Sequence, residues 1–392
     1  MFVPLRTTHQ VGRSSILASK LLTRSPARLG TGLPLSLVTG RQPLRFGSDE
    51  ARPPSRPPSS AVDSSLPYPP YTIPTKGILS KLPPSWVPYA ELSRIEKPGG
   101  LYGFYMAYLI GLGYGSCLVT PAVAPGHLAQ IAGVLLVYNV FLRGAACTVN
   151  DILDRDYDRQ VARCRNRPVA RRAVTPSQGY MWYAAQTVGA GAAIACLPSP
   201  MLALAYAVPI QLSVSLYPLA KRHTDFPQLV LSAPIAGGVL MAAASLGMDP
   251  FTTSATGFLF MSHYIWTTIF DYVNACQDTA DDIKAGVRSM AVRYQNTSLF
   301  ISTLGAAQVG CLAATGILAG FSPVYMIGAV GGNALWLATM VMTVKRTRPD
   351  ICAWWFSWGG LLVSGTTVAA LFAEYHSRLD GSEGGEKIND SK

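Results

Sequence analysis

The chain has 392 residues, of which 49% are hydrophobic and only 14% charged. A typical soluble protein carries roughly 25% charged residues, so the composition excludes an ordinary soluble enzyme and indicates a membrane protein. The net charge is +11; the expected partners include membrane lipid and exclude nucleic acid. The seven cysteines are scattered, mostly inside apolar runs, without metal-ligand spacing. They read as small buried hydrophobes rather than as a zinc site or a disulfide framework.

Residues 1–48 hold seven Lys/Arg, many Ser/Thr and no acid until Asp49. A basic, Ser-rich, acid-free leader has the pattern of a mitochondrial transit peptide; a basic disordered leader is the plainer reading. Residues 49–85 are rich in Pro and Ser (RPPSRPPSS, LPYPPYTIP) and read as a disordered linker. The folded part is expected to begin near Trp86 and span 86–376, with 377–392 as a disordered tail.

From Leu101 onward, apolar runs recur near 101–119, 127–148, 178–196, 201–219, 227–248, 251–271, 298–319, 323–344 and 353–375. Each is long enough, or nearly so, to cross a hydrocarbon core of about 30 Å. An all-α polytopic membrane protein with about nine spans is the expected fold. Loop charge supports it. The segments 85–100, 149–177, 220–226, 272–297 and 345–352 carry 2, 7, 2, 3 and 3 Lys/Arg, and the alternate loops 120–126, 197–200, 249–252 and 320–322 carry none. The positive-inside rule places the basic loops on the cytoplasmic or matrix side.

Two acidic clusters lie on that basic side. In CTVNDILDRDYDRQ, a continuing helix would space Asn150, Asp154 and Asp158 at i, i+4 and i+8, with Asp151 on the same stripe. In IFDYVNACQDTADDIKAG, Asp278 and Asp282 are i, i+4, with Asp281 between them, and Asp271 is expected on their face. Stacked carboxylates repel, and oxygen-only ligands without His or Cys favour a hard cation such as Mg²⁺. Two such clusters across one cavity resemble the way soluble prenyl-diphosphate enzymes hold a diphosphate through bridging metal. The plainer reading is a solvated helix end with incidental charge.

Basic residues complete the pattern. Arg143, inside a span and seven residues before Asn150, suggests a substrate contact or a structural salt bridge. Arg94, Lys97, Arg167, Lys221 and Arg222 are candidates to touch diphosphate, although positive-inside topology also accounts for such charges.

Here the residues resemble the UbiA superfamily of intramembrane aromatic prenyltransferases. The resemblance rests on NDxxDxxxD (Asn150, Asp151, Asp154, Asp158), DxxxD (Asp278, Asp282), SRIEKPGG (Ser93 to Gly100), RNRP (Arg165 to Pro168) and YPLAKR (Tyr217 to Arg222), and it covers about 86–375. It implies nine helices around a central cavity, Mg²⁺ dependence, and transfer of a prenyl chain from prenyl diphosphate to an aromatic carbon of a phenolic acceptor. Two branches are close: a fungal meroterpenoid branch acting on polyketide-derived phenols, and mitochondrial 4-hydroxybenzoate polyprenyltransferase of ubiquinone synthesis. The family often has Tyr four residues before the first aspartate of DxxxD; Asn274 stands there, which favours a non-standard acceptor.

In the implied mechanism Asn150, Asp154, Asp278 and Asp282 hold the metal, with Asp151 and Asp158 assisting. Arg222, Lys221 and Arg167 neutralise the diphosphate, and Asp271 orients the acceptor or takes the ring proton. A cation-coupled transporter is the rival of another class, but its ion sites would lie near the midplane on broken helices. The expected location is the mitochondrial inner membrane if the leader works, and otherwise the endoplasmic reticulum or Golgi membrane. If residues 1–48 are a transit peptide, a reporter fused to them is expected to enter mitochondria. A reporter that stays cytosolic or marks secretory membranes would overturn the transit reading.

Overall fold

The computed structural model describes residues 71–161 and 164–389; the expected transit peptide lies outside the described residues. A short helix α1 (Val87–Leu92) leads into α2 (Pro98–Ser116), α3 (Pro125–Leu153) and the single turn α4 (Arg155–Asp158). Then come α5 (Pro176–Ala195), α6 (Pro200–His223), α7 (Pro227–Ser245) and α8 (Ser254–Ala275). The short helices α9 (Thr279–Ala285) and α10 (Met290–Arg293) precede α11 (Thr297–Leu318). The last two apolar runs are each interrupted by π-helical backbone. One is α12 (Pro323–Tyr325), a π segment Met326–Gly331 and α13 (Gly332–Thr343). The other is α14 (Pro349–Gly359), a π segment Gly360–Ser364 and α15 (Gly365–Asn389).

The starts of these helices are local in origin. Proline opens α2, α3, α5, α6, α7, α12 and α14. Its missing N–H would have no partner there in any case, and its φ is already helical. Thr175 and Gln178 form a reciprocal capping box on α5, and Asn296 accepts from the Leu299 N–H on α11. All nine expected runs fall in helical segments. Six are long and apolar enough to span a membrane by length and composition: Pro125–Leu153, Pro200–Ala220, Pro227–Ser245, Thr297–Leu318, Pro323–Thr343 and Pro349–Leu379. The others, α2, α5 and α8, carry more Gly, Tyr, Gln, Thr or His; in α2 and α8 many of these polar groups are buried among neighbouring helices.

Two boundaries differ from expectation. Residues 377–389 continue α15 as helix rather than forming a tail. Hydropathy fades there, but Arg378 pairs with Glu374 at i, i+4 (2.9 Å) and donates to the carbonyls of Cys117 and Gly320. At the other end, Tyr71 leaves the expected linker by donating to Glu91 (2.7 Å), under the Arg171 guanidinium.

The helices pack α3 on α5, α6 on α7, α8 on α11, and α2 against α7. Small residues permit this in a bilayer, where close packing replaces the hydrophobic drive. At Gly111 an added Cβ would stand 2.1 Å from the Val239 carbonyl oxygen, so α2 and α7 touch along their backbones. Large apolar side chains such as Met181, Val188, Met201, Leu216, Ile317 and Ile327 are exposed, as a lipid-facing surface requires.

The interior also holds a polar node. Gln308 Nε2 donates to Asn333 Oδ1 (2.8 Å), and Asn333 Nδ2 donates to the Ala329 carbonyl (2.7 Å) and Thr367 Oγ1 (2.9 Å). Ala329 lies in a π segment, where the regular i→i−4 ladder is broken; its carbonyl takes the Gly332 N–H as well, so the side chain adds a second donor at the irregular turn. Beside the node, His263, Ser262 and Ser364 line a cavity of about 10 Å³, about the size of one water. Asn333→Leu strands Gln308 and Thr367 and is expected to cost about 1–2 kcal/mol. The measurement is the thermal midpoint in detergent; an unchanged midpoint would show that the node does not hold these helices.

Candidate active site

The first acidic motif sits where α3 gives way to α4. Leu153 ends α3, and Asp154 takes a non-helical ψ of 2°. Helical bonding nevertheless persists across the break, because Asp154 N–H donates to the Asn150 carbonyl and Asp158 N–H to that of Asp154, both at 2.8 Å. The expected i, i+4 register therefore survives a change of helix.

These carboxylates are not a solvated helix end. Asp151, Asp154 and Asp158 are buried, Asp151 completely, whereas Asp156 in the same turn is half exposed. Burying carboxylates without counter-charge is unfavourable, and arginines from three separate segments meet them. Arg94 Nη2 donates to Asp151 Oδ1 at 2.5 Å. Arg167 Nη1 reaches both oxygens of Asp158 (2.9 and 3.0 Å) and lies 3.5 Å from Asp151. Arg222, leaving α6, donates to the Leu153 carbonyl at 2.8 Å, stands 3.9 Å from Asp154 and covers the Tyr157 ring. Lys97 lies close enough to act electrostatically on Asp151.

The second motif departs from the continuous helix expected for it. α8 ends at Ala275, and the backbone tightens, with Gln277 N–H on Asn274 and Asp278 N–H on Ala275, both i→i−3. Asp278 then caps α9, and Asp282 N–H donates to its carbonyl at 2.9 Å. The tightened turn interrupts the helix between them, so Asp271 lies on the body of α8 while Asp278 and Asp282 belong to the start of α9. Asp271, Asn274, Asp278 and Asp282 are all partly buried. Asn274 Oδ1 accepts from Gln277 Nε2 at 3.2 Å.

The α6–α7 corner touches both acidic segments. Arg222 contacts the end of α3, and three residues later Asp225 binds Arg288 (2.6 Å) and Arg293 (2.8 Å), which follow the second motif. Asp225 was not among the sequence candidates; its signal was a lone acid in an otherwise basic loop. Glu91, bonded to Tyr71 and Arg171, was missed as well. Lys221 belongs to α6, but its side chain lies outside what the structure describes.

Arg143 requires correction. Among the described residues no carboxylate pairs with it, so the salt bridge its spacing also allowed is not formed. Its Nη1 donates to the Arg94 carbonyl and its Nη2 to the Lys97 carbonyl, both at 2.9 Å. Main-chain oxygens of a neighbouring turn satisfy a guanidinium that sequence spacing alone had aimed at the site.

The donor set suits a hard divalent cation. The acidic motifs offer only carboxylate and amide oxygens. Asp151 Oδ2 is buried without a hydrogen-bond partner. Burial first, then Asp151 and Asp154, pushes the Asp158 carboxyl up to about 6 against the opposing pull of Arg167, and a nearby cation would relieve that repulsion. Among the described residues no three His, Cys, Asp or Glu side chains are gathered closely enough to ring an ion. Mg²⁺ does not demand such a ring, since it binds through one or two carboxylates together with substrate phosphates.

With this geometry in view, the pattern of the UbiA prenyltransferase family matches residues 108–365. The DMOA farnesyltransferase nvfB of Aspergillus novofumigatus is 34% identical over 304 residues, covering 77% of this chain and 95% of its own. The mitochondrial 4-hydroxybenzoate polyprenyltransferase of Saccharomyces cerevisiae is 34% identical over 286 residues, covering 71% and 74% respectively. Among solved structures, a UbiA homolog from Archaeoglobus fulgidus bound to GPP and Mg²⁺ superposes with a TM-score of 0.55 over 74% of this chain and 99% of that one, at 17% identity. That likeness speaks for the fold alone. Together these matches leave the transporter reading without support, and the chain is a member of the UbiA prenyltransferase family, an all-helical integral membrane protein.

Proposed function

We propose that this protein transfers a prenyl chain, farnesyl or longer, from prenyl diphosphate to an aromatic carbon of a phenolic acceptor. The observation that carries this reading is the buried Asp151–Asp154–Asp158 cluster, charge-matched by Arg94, Arg167 and Arg222 at the basic-side end of α3. The membrane domain is read as nine spans, one for each long apolar helical run among the described residues, six of which are apolar enough by length and composition alone.

Asn150, Asp154, Asp278 and Asp282 would hold Mg²⁺, which when bound supplies the positive charge that a departing diphosphate needs. Asp151 and Asp158 fix Arg94 and Arg167. Arg222 and Lys221 add charge from the α6 end, so that the negative charge leaving with the diphosphate meets cations already in place. The C–O bond to the diphosphate breaks, a ring carbon of the phenol attacks the allylic cation, and the ring loses a proton. Asp271, one to two turns before Asp278 and on α8 itself, orients the acceptor or accepts that proton.

The favoured acceptor is a polyketide-derived phenol of fungal meroterpenoid synthesis, and the support is Asn274 in the last turn of α8. It is smaller than the tyrosine common at that place and offers both a donor and an acceptor, which suits a substituted ring with an extra oxygen. The second reading, 4-hydroxybenzoate in ubiquinone synthesis, is kept by the leader and by the similarity to the yeast mitochondrial enzyme. The compartment follows the branch: mitochondrial inner membrane for the second, endoplasmic reticulum or Golgi membrane for the first.

Asp154→Ala and Asp278→Ala are each expected to lower Mg²⁺-dependent diphosphate release by about a hundredfold or more, the scale for losing a charge-stabilising group, with the protein still folded in the membrane. Near-normal turnover in either variant would remove these motifs from the site. For the acceptor, purified enzyme offered a bulky polyketide phenol and 4-hydroxybenzoate together is expected to favour the former, and Asn274→Tyr to shift the kcat/KM ratio toward 4-hydroxybenzoate. A wild type preferring 4-hydroxybenzoate, with a ratio indifferent to the substitution, would return the ubiquinone reading to first place.

A further inference from the structure

Arg143 is a guanidinium inside a membrane span, only 7% exposed, and the reaction outlined above does not use it. Such a group is kept in a bilayer only where something specific satisfies it. What satisfies it is the turn between α1 and α2: the carbonyls of Arg94 and Lys97 converge on its two terminal nitrogens.

That turn is itself strained. Arg94 has φ of +54°, the left-handed region that side chains other than glycine rarely adopt. Strain of this kind persists only where surrounding contacts over-determine it, and here they come from two sides. Arg143 of α3 holds the Arg94 and Lys97 carbonyls. Ser93, the residue before, donates from Oγ to Gln186 Oε1 (3.0 Å) and receives Trp182 Nε1–H (3.0 Å), both from α5. So held, Arg94 lays its guanidinium on Asp151.

The start of α2 is shaped to admit the clamp. A Cβ built on Gly100 would stand 2.8 Å from Arg143 Nη2 and 3.0 Å from Nε, distances at which one of the two must move. Gly100 therefore gives the guanidinium the space to reach the turn.

We propose that Arg143 is a positioning residue that acts through Arg94: with Gly100 leaving it room, it locks the Arg94–Lys97 turn in its left-handed form and so presents the Arg94 guanidinium to the first acidic motif and to a bound diphosphate. The proposal rests on the reading of that motif as the prenyl-diphosphate site. It assigns the two arginines different tasks, Arg94 touching the site and Arg143 never doing so. It also makes the segment before the first long helix part of the catalytic domain.

The test is a double-mutant cycle in full-length protein, with KM measured separately for prenyl diphosphate and for the phenol. Arg143→Gln is expected to raise the KM for prenyl diphosphate by about tenfold, the scale of one charged hydrogen bond, leaving the acceptor KM unchanged. In an Arg94→Gly background, where the side chain is gone and a positive φ is relaxed, the same substitution is expected to have less than about a twofold effect, because contacts acting through one another do not add. Gly100→Ala, which keeps both arginines and only crowds the clamp, is expected to reproduce the diphosphate-specific KM shift, and it carries the test if Arg143→Gln fails to fold. Fully additive effects of Arg143→Gln and Arg94→Gly, equal shifts in both KM values, or an unaltered diphosphate KM in Gly100→Ala would each overturn the proposal. Failure of the underlying reading looks different: Asp154→Ala and Arg94→Gly would then both leave prenyl-diphosphate turnover intact.

Discussion

Carboxylates drawn out of water at the end of a membrane helix must meet positive charge, because neither lipid nor a packed interior can solvate them. Asp151, Asp154 and Asp158 are buried in that position, and no single neighbouring helix answers them. Arg94 comes from the turn before α2, Arg167 from the loop after α4, and Arg222 from the end of α6. Neutralising three acids thus fixes where three distant stretches of chain must lie. The basic-side surface is organised around that requirement, and the groups that a diphosphate needs are assembled by it.

The same rule, that polar groups in a bilayer be satisfied from within, accounts for features far from the acids. Arg143 is answered by two main-chain carbonyls, and the π segments in the last two spans are accompanied by the Gln308–Asn333–Thr367 node. On the opposite rim Glu374 accepts from the Ser322 N–H and pairs with Arg378. Around these points the helices meet through small residues and turn large apolar ones outward, so the polar contacts specify register while lipid and close packing hold the assembly.

The two acidic motifs, similar in sequence, are built differently. The first keeps its i→i−4 bonding across the junction of α3 and α4, which preserves the stripe read from spacing. The second passes through a tightened turn, so Asp278 caps a new helix while Asp271 remains on α8. In the proposed reaction this separation suits two tasks, diphosphate and metal on the one hand and the acceptor ring on the other. The α6–α7 corner joins the two halves, Arg222 reaching one and Asp225 the loop beyond the other.

Much of this was legible in sequence because it is local. Apolar runs of membrane length, prolines at helix starts, alternating loop charge and i, i+4 acids each depend on residues near one another in the chain, and the structure places helices where those patterns lie. Even the interruption of the family's usual tyrosine by Asn274 needs only a motif to be seen. What sequence could not decide depends on partners distant in the chain. Spacing put Arg143 on the acidic stripe, but the carbonyls that satisfy it come from a turn some fifty residues earlier. The tightened backbone after Ala275, the clasp from Asp225 to Arg288 and Arg293, and the left-handed Arg94 carry no periodic signal at all. They arise because buried charges and open carbonyls take whichever partners the packed helices bring within reach, and only the tertiary structure determines which those are.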